Sequence, residues 1–193
     1  MSIDRRSLIA GASAAAALAA APAARAEDKL LNLDTVYGRT VIKMRPDIAP
    51  KHCAQIETLV KRHFYDGVKF HRVIDGFMAQ TGDPTGTGTG KSDLPNIPAE
   101  FSKEKFLRGT VGMARGQDND SANCQFFICF GPARYLEEQY TVWGEVISGM
   151  EFIDKVHRGE PPKDPDKIVK LRLAGDESLG LRSCAHAVIA RRP

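Results

Sequence analysis

Between residues 29 and 173 the hydrophobic and β-branched positions fall in short runs, broken by glycine, proline and acidic residues. Lys29 to Leu33 and Thr40 to Met44, with a turn containing Gly38 between them, predict an opening hairpin. A helix is predicted next, from Pro50 to Arg62. Pro50 suits a first helical turn, and Cys53, Ile56 and Val60 recur at helical spacing with Leu59 beside them. Further strands are expected at Val68 to Ile74, Phe77 to Thr81, Thr110 to Ala114, Gln125 to Phe130, Thr141 to Ile147 and Lys167 to Leu173. A second helix fits Met150 to Arg158, with Ile153, Val156 and His157 inward or nearly so and Gly159 ending it. Many short strands with only two helices make the fold mainly β, a closed or nearly closed β-barrel whose open ends the helices cover. No internal repeat or linker divides this body, and residues after about Gly175 read as a tail of mixed composition.

The first 26 residues have a different pattern. Arg5 and Arg6 precede an Ala- and Leu-rich apolar stretch that ends in Ala24-Arg25-Ala26, the small-x-small form of a cleavage site. The stretch is short and small in side-chain volume for a membrane span, which needs roughly 20 apolar residues. Arg5-Arg6 before Ser7-Leu8-Ile9 resembles a twin-arginine export signal, and an ordinary secretory signal with a basic start is the alternative. The expected division is therefore a signal at 1–26, one domain at 27–175 and a tail at 176–193, with a periplasmic destination. The chain carries 27 Lys and Arg against 24 Asp and Glu, a net +3. Removing Asp4, Arg5, Arg6 and Arg25 with the signal brings the balance close to neutral, and no long run of one sign remains to track a phosphate backbone. Nucleic acid is not an expected partner, nor is a membrane once the signal is gone.

Cys53, Cys124, Cys129 and Cys184 show no CxxC and no metal-ligand framework, although an oxidising compartment would permit disulfides. Cys124 and Cys129 lie five apart in a predicted strand, so alternation sends them to opposite faces and away from each other. Cys53 and Cys129 read as buried small hydrophobes. The loop Gly82-Asp83-Pro84-Thr85-Gly86-Thr87-Gly88-Thr89-Gly90-Lys91-Ser92 ends like a phosphate-binding loop, but it has Thr85 where that motif needs its first glycine and Pro95 where it needs a helix. Its glycines read as positive-φ positions in a long exposed loop. The five His residues offer no Ser-His or Cys-His signature and no metal cluster, and His71 reads as a satisfied core histidine.

One constellation is specific. Phe70-His71-Arg72-Val73-Ile74-Asp75-Gly76-Phe77-Met78-Ala79-Gln80-Thr81-Gly82-Asp83, followed by Gly112-Met113-Ala114 and Cys124-Gln125-Phe126-Phe127-Ile128, closely resembles the cyclophilins over roughly Lys29 to Gly175. The resemblance implies an eight-stranded barrel capped by two helices. It also implies peptidyl-prolyl cis-trans isomerase activity on proline-containing polypeptides, with a monomer that uses no cofactor, metal or covalent intermediate. Carried over position by position, Arg72 matches the catalytic arginine. Phe77, Met78, Gln80, Ala114, Gln125, Phe127 and Leu136 match the proline pocket and its groove. Three residues depart from the best-known eukaryotic pattern: Arg115 stands for an Asn that contacts the peptide backbone, Tyr135 for a Trp at the pocket rim, and Tyr140 for a His at the same rim. In members that bind cyclosporin tightly, that Trp supplies an indole N–H and a wide apolar face.

The chemistry agrees with these residue types. Rotation about an X-Pro bond faces roughly 20 kcal/mol because amide resonance must be lost, yet no bond breaks. At the twisted transition state the prolyl nitrogen regains a lone pair, so a fixed cation that donates to it attracts only there. Arg72 offers a permanent charge and a rigid fork of donors. Phe77, Met78, Phe127 and Leu136 could hold the pyrrolidine ring away from water. Strand alternation should put Gln125, Phe127 and Cys129 on the site face and Phe126 and Ile128 in the core, and Arg72 on the same strand face as Phe70. A module that only holds proline-containing segments, as chaperone or scaffold, is the competing function. Arg72 favours the enzyme, because binding alone needs no transition-state donor.

Overall fold

The computed structural model describes residues 29–176, so the signal-like segment, the tail and Cys184 lie outside the described residues. Within them the chain forms β1 (Leu30–Thr35), β2 (Gly38–Met44), α1 (Pro50–Lys61), β3 (Arg72–Ile74), β4 (Met78–Thr81), β5 (Thr110–Met113), β6 (Phe126–Cys129), β7 (Val142–Ser148), α2 (Met150–Ile153) and β8 (Lys170–Leu173). The strands make one sheet in the order β3-β4-β6-β5-β7-β2-β1-β8, and every neighbouring pair is antiparallel. Register shifts at Val41/Ile42 and Val111/Gly112 bend the ladder where β7 joins β2 and β5.

The sheet curls until its two edges meet, but they meet through irregular backbone. Lys69 bridges Lys167, Phe70 N–H donates to the Asp166 carbonyl at 2.9 Å, and Ile168 N–H donates to the Val68 carbonyl at 2.9 Å. The strands expected over Val68–Ile74 and Lys167–Leu173 are therefore regular strand only in their second parts, and their first parts close the barrel.

The barrel interior is filled by side chains from both edges and from the middle of the sheet. Leu31, Leu33, Ile42, Phe70, Val111, Phe126, Ile128, Trp143 and Leu171 form its centre, all without exposure. Burial on this scale, at roughly 1.5–3 kcal/mol for each large side chain, is what holds short strands in one sheet. Helix α1 adds Cys53, Ile56, Leu59 and Val60 as predicted. Its start is capped from a distance: the Glu100 carboxylate accepts from the Lys51 and His52 amides at 3.1 and 3.0 Å and bonds His52 Nδ1 at 2.7 Å. That anion beside the helix N-terminus satisfies donors the helix cannot.

The second helix is shorter than its pattern predicts, ending at Ile153 instead of Arg158. Ile153 and Val156 are buried as expected, but His157 is exposed, because Asp166 accepts from both its amide (2.8 Å) and its Nδ1 (2.9 Å) and draws the chain out of the helix. Gly159 does not stop a helix. Its backbone pairs with Val73 by two 2.8 Å bonds, which anchors the following loop beside β3.

Candidate active site

A second, smaller apolar cluster lies on the other face of the sheet. It joins Met78, Phe106, Phe127, Cys129, Ala133, Leu136 and Val142, with Phe77, Ala114 and Tyr140 packed at its edge. Strand alternation in β6 separates the two clusters as predicted: Phe126 and Ile128 go inward, Phe127 and Cys129 outward. The Phe127 ring stacks on Phe106 (5.9 Å, 21°) and has room only because residue 112 is glycine: a Cβ there would overlap both rings.

Above this cluster opens a cavity of about 130 Å³. Nine of the eleven site residues expected from the sequence line it. Phe77, Met78, Phe127 and Leu136 supply apolar wall, Ala114 and Tyr140 complete it, and Arg72, Gln80 and Arg115 bring polar groups to its edge. Met78, Phe127 and Leu136 are 1%, 5% and 6% exposed, so the wall is set by packing. Gln125 and Tyr135 stand outside the cavity. Tyr135, in a 3-10 turn at Arg134–Leu136, is 63% exposed with its ring 5.5 Å from that of Phe77.

Arg72 begins β3 opposite Gln80 of β4, and its Nε donates to Glu160 Oε2 at 3.4 Å. Glu160 comes from the loop that Gly159 pins to Val73, 88 residues away in sequence. The expectation that Arg72 shares a face with Phe70 fails: Phe70 and Val73 both enter the barrel core, while Arg72 faces the cavity. Regular strand geometry starts only at Arg72, so alternation cannot be extended back to Phe70. His71, between them, is buried but not satisfied, since neither ring nitrogen has a hydrogen-bond partner. Burial pushes its pKa down, against the pull of Asp83, so the ring is kept neutral.

The glycine-threonine loop has a structural task connected to this site. Asp83, almost wholly buried, accepts from Thr85 N–H (2.7 Å) and Oγ1 (2.8 Å), from Gly88 N–H and from Gly90 N–H (3.2 Å). The folded loop presents the Gly88 and Gly90 carbonyls to Gln125 Nε2 at 3.1 and 2.9 Å, and Gln125 Oε1 accepts from Gln80 Nε2 at 3.0 Å. Gly82, Gly86 and Gly88 have positive φ as predicted; Gly90 does not, and is glycine because a side chain would strike the Asp83 carboxylate. Burial raises the Asp83 pKa, but the bonds from Thr85, Gly90 and Gly88 outweigh it and bring the carboxyl down to about 2. A carboxyl depressed in the fold stabilises above its ordinary pKa and loses that contribution as pH falls through the folded value. Wild-type protein should therefore lose about 2 kcal/mol from this group between about pH 4 and pH 2. In urea unfolding, the stability gap between wild type and Asp83→Asn should narrow over that range; a gap independent of pH would refute the assignment.

Cys53, Cys124 and Cys129 are free and buried, and burial pushes their thiols up to about 12, 11 and 12. These are inert packing groups. Among the described residues no group of three or more His, Cys, Asp or Glu side chains could hold a metal ion. Sequence reasoning did not find Phe106, Gly112, Glu160 or the role of Asp83. Only Asp83 and Gly112 carried a signal, as members of the quoted motifs whose structural tasks the sequence did not show.

The family model for "Cyclophilin type peptidyl-prolyl cis-trans isomerase/CLD" matches residues 30–173. A probable peptidyl-prolyl cis-trans isomerase of Brucella suis is 47% identical over 194 aligned residues, covering 91% of this chain and 99% of its own. A peptidyl-prolyl cis-trans isomerase-like 1 of Aspergillus fumigatus is 36% identical over 75% of this chain and 96% of its own. Among solved structures, the cyclophilin AquaCyp293 from Hirschia baltica superposes with a TM-score of 0.71 at 30% identity, covering 77% of this chain and 75% of that one. A Cryptosporidium parvum cyclophilin gives 0.72 at 26% identity, covering 77% and 98%. With the curled eight-stranded sheet, its two helices and the cavity beside Arg72, these matches place the chain among the cyclophilin-type peptidyl-prolyl cis-trans isomerases, enzymes that turn the X-Pro peptide bond.

Proposed function

We propose that this isomerase is exported and acts in the periplasm on X-Pro bonds of exported polypeptides, with the cavity around Arg72 as its working site. The observation that carries the site is the Arg72 guanidinium at the edge of a cavity of about 130 Å³ walled by Phe77, Met78, Phe127 and Leu136. The pyrrolidine ring enters against Met78, Phe127 and Leu136, and the Arg72 guanidinium donates to the prolyl nitrogen as the amide twists and its lone pair returns. Gln80, held in place by its hydrogen bond to Gln125, offers its remaining amide N–H and its carbonyl to the backbone beside the proline. A C. parvum relative was crystallised in the presence of the dipeptide Ala-Pro, a ligand of the class this cavity would accept. An X-Pro peptide exchange assay with catalytic amounts of protein tests the site; slow exchange unchanged by the protein would refute it and leave a proline-holding module.

Support for export comes from Arg5-Arg6, the apolar stretch and Ala24-Arg25-Ala26. The B. suis protein aligns over more of the chain than the isomerase fold occupies, so the likeness extends beyond that fold. Cleavage should leave Glu27 as the first residue, and replacing Arg5 and Arg6 together by Lys should keep the protein in the cytoplasm. Unchanged periplasmic levels of the Lys-Lys variant, or an exported protein that retains the Ala-rich segment by mass spectrometry, would overturn this route.

A further inference from the structure

Arg115 holds a place where the resemblance supplies an Asn that touches the substrate backbone, and its geometry suits a different task. Its Nε and Nη2 donate to the Gln139 carbonyl (3.3 and 3.0 Å), and its Nη1 donates to the carbonyls of Gly116 (2.8 Å) and Gln117 (3.4 Å). An arginine has five N–H donors, so these four bonds, one to each N–H, leave one for a peptide. The guanidinium carbon lies 4.6 Å from the centre of the Tyr140 ring. Tyr140 in turn meets Phe127 edge-to-face at 6.0 Å and 80°. Arg115 thus stitches the segment after β5 to the segment before β7 just past the last ladder contacts, and presses on the ring that backs the cavity wall.

We propose that Arg115 is a positioning residue for the proline site: it clamps Tyr140 against Phe127 and so fixes the wall that receives the ring, acting through Tyr140 and not as a donor to substrate. The proposal rests on the reading that the cavity takes the proline ring. Its kinetic signature follows from where it acts. Losing the clamp leaves the apolar surface of Met78, Phe127 and Leu136 in place to exclude water and loosens only the seating of the pyrrolidine ring, which is the same in the planar and the twisted amide, so binding weakens uniformly while the chemical step stays with Arg72 and that surface. Lysine would keep the charge but lose the planar fork and the stacking face.

The experiment compares the full chain with Arg115→Lys, Arg115→Gln, Tyr140→Leu, Phe127→Ala and the double variant Arg115→Lys/Tyr140→Leu, measuring kcat and KM for one X-Pro peptide. Arg115→Lys and Arg115→Gln should each raise KM about 3- to 10-fold with kcat within about twofold, the size of a lost cation–π contact and its hydrogen bonds. In the Tyr140→Leu protein the Lys substitution should add less than about twofold, because the ring it acts through is gone. Arg115→Lys at the parental KM, the same KM factor with and without Tyr140, or a fall confined to kcat would each overturn the proposal. Phe127→Ala separates this from the underlying reading: if it leaves KM unchanged, the cavity does not take the ring. If it raises KM while the Arg115 arms fail, only the positioning role is lost.

Discussion

Replacing Arg72 by Ala should lower kcat/KM for an X-Pro peptide by roughly 10- to 10³-fold, a loss of about 1.5–4 kcal/mol in transition-state stabilisation. The fold should survive. The side chain is 41% exposed and is paired with a half-exposed Glu160 at 3.4 Å, a surface pair of the kind that contributes at most about 1 kcal/mol. Circular dichroism and the melting temperature should therefore stay close to wild type while activity falls, and Arg72→Lys should recover only part of it, having the charge without the fork. Unaltered turnover in a folded Arg72→Ala protein would remove the arginine from the mechanism.

The arginine is not sufficient. An acceleration of about 10⁵ requires roughly 7 kcal/mol, and one charge-assisted hydrogen bond provides about 1.5–3. The remainder falls to the cavity. In the proposed site the buried walls of Met78, Phe127 and Leu136 would shield the bound amide from water, favouring its less polar twisted form and strengthening the guanidinium contact in a medium of lower dielectric constant. The same walls keep the ring oriented while the bond turns.

What could be read from the sequence was whatever a regular backbone transmits locally. β6 shows this: a four-residue ladder preserves alternation, so Phe127 and Phe126 fall on opposite faces as their spacing demands. At Phe70 and Arg72 the same inference failed, because the chain there closes the barrel through isolated bridges. Helix α2 was overdrawn for a similar reason. The apolar spacing of Ile153 and Val156 is helical, but Asp166, outside any local window, captures His157 and ends the helix. Contacts made at a distance left no trace: Glu160 beside Arg72, Phe106 beneath Phe127, and Glu100 on the start of α1 are set by topology alone. The Gly-Thr loop lies between these cases. Its glycines announced an unusual backbone, but that backbone's purpose, folding around Asp83 to aim two carbonyls at Gln125, depends on a residue more than thirty positions further along the chain.

Weak inhibition by cyclosporin, tightened by Tyr135→Trp, is the expected behaviour at the rim. Tyr135 leans over Phe77 at 5.5 Å, largely exposed and outside the cavity lining, so it can meet a broad ligand that overhangs the pocket without touching a proline ring inside it. Its only donor is at the tip of a phenol, whereas the Trp of tightly binding relatives places an indole N–H on the flank of a wider apolar face. A ligand carbonyl left unpaired against this rim costs about 1–3 kcal/mol, or roughly 5- to 150-fold in affinity. Proline makes no demand on that N–H, so isomerase activity should be near normal in both proteins. Inhibitor titrations on wild type and Tyr135→Trp with one peptide would read the difference directly. Equal, tight inhibition of the two would move the origin of drug affinity away from residue 135 and into the apolar wall of Phe77, Met78 and Phe127, which both proteins share.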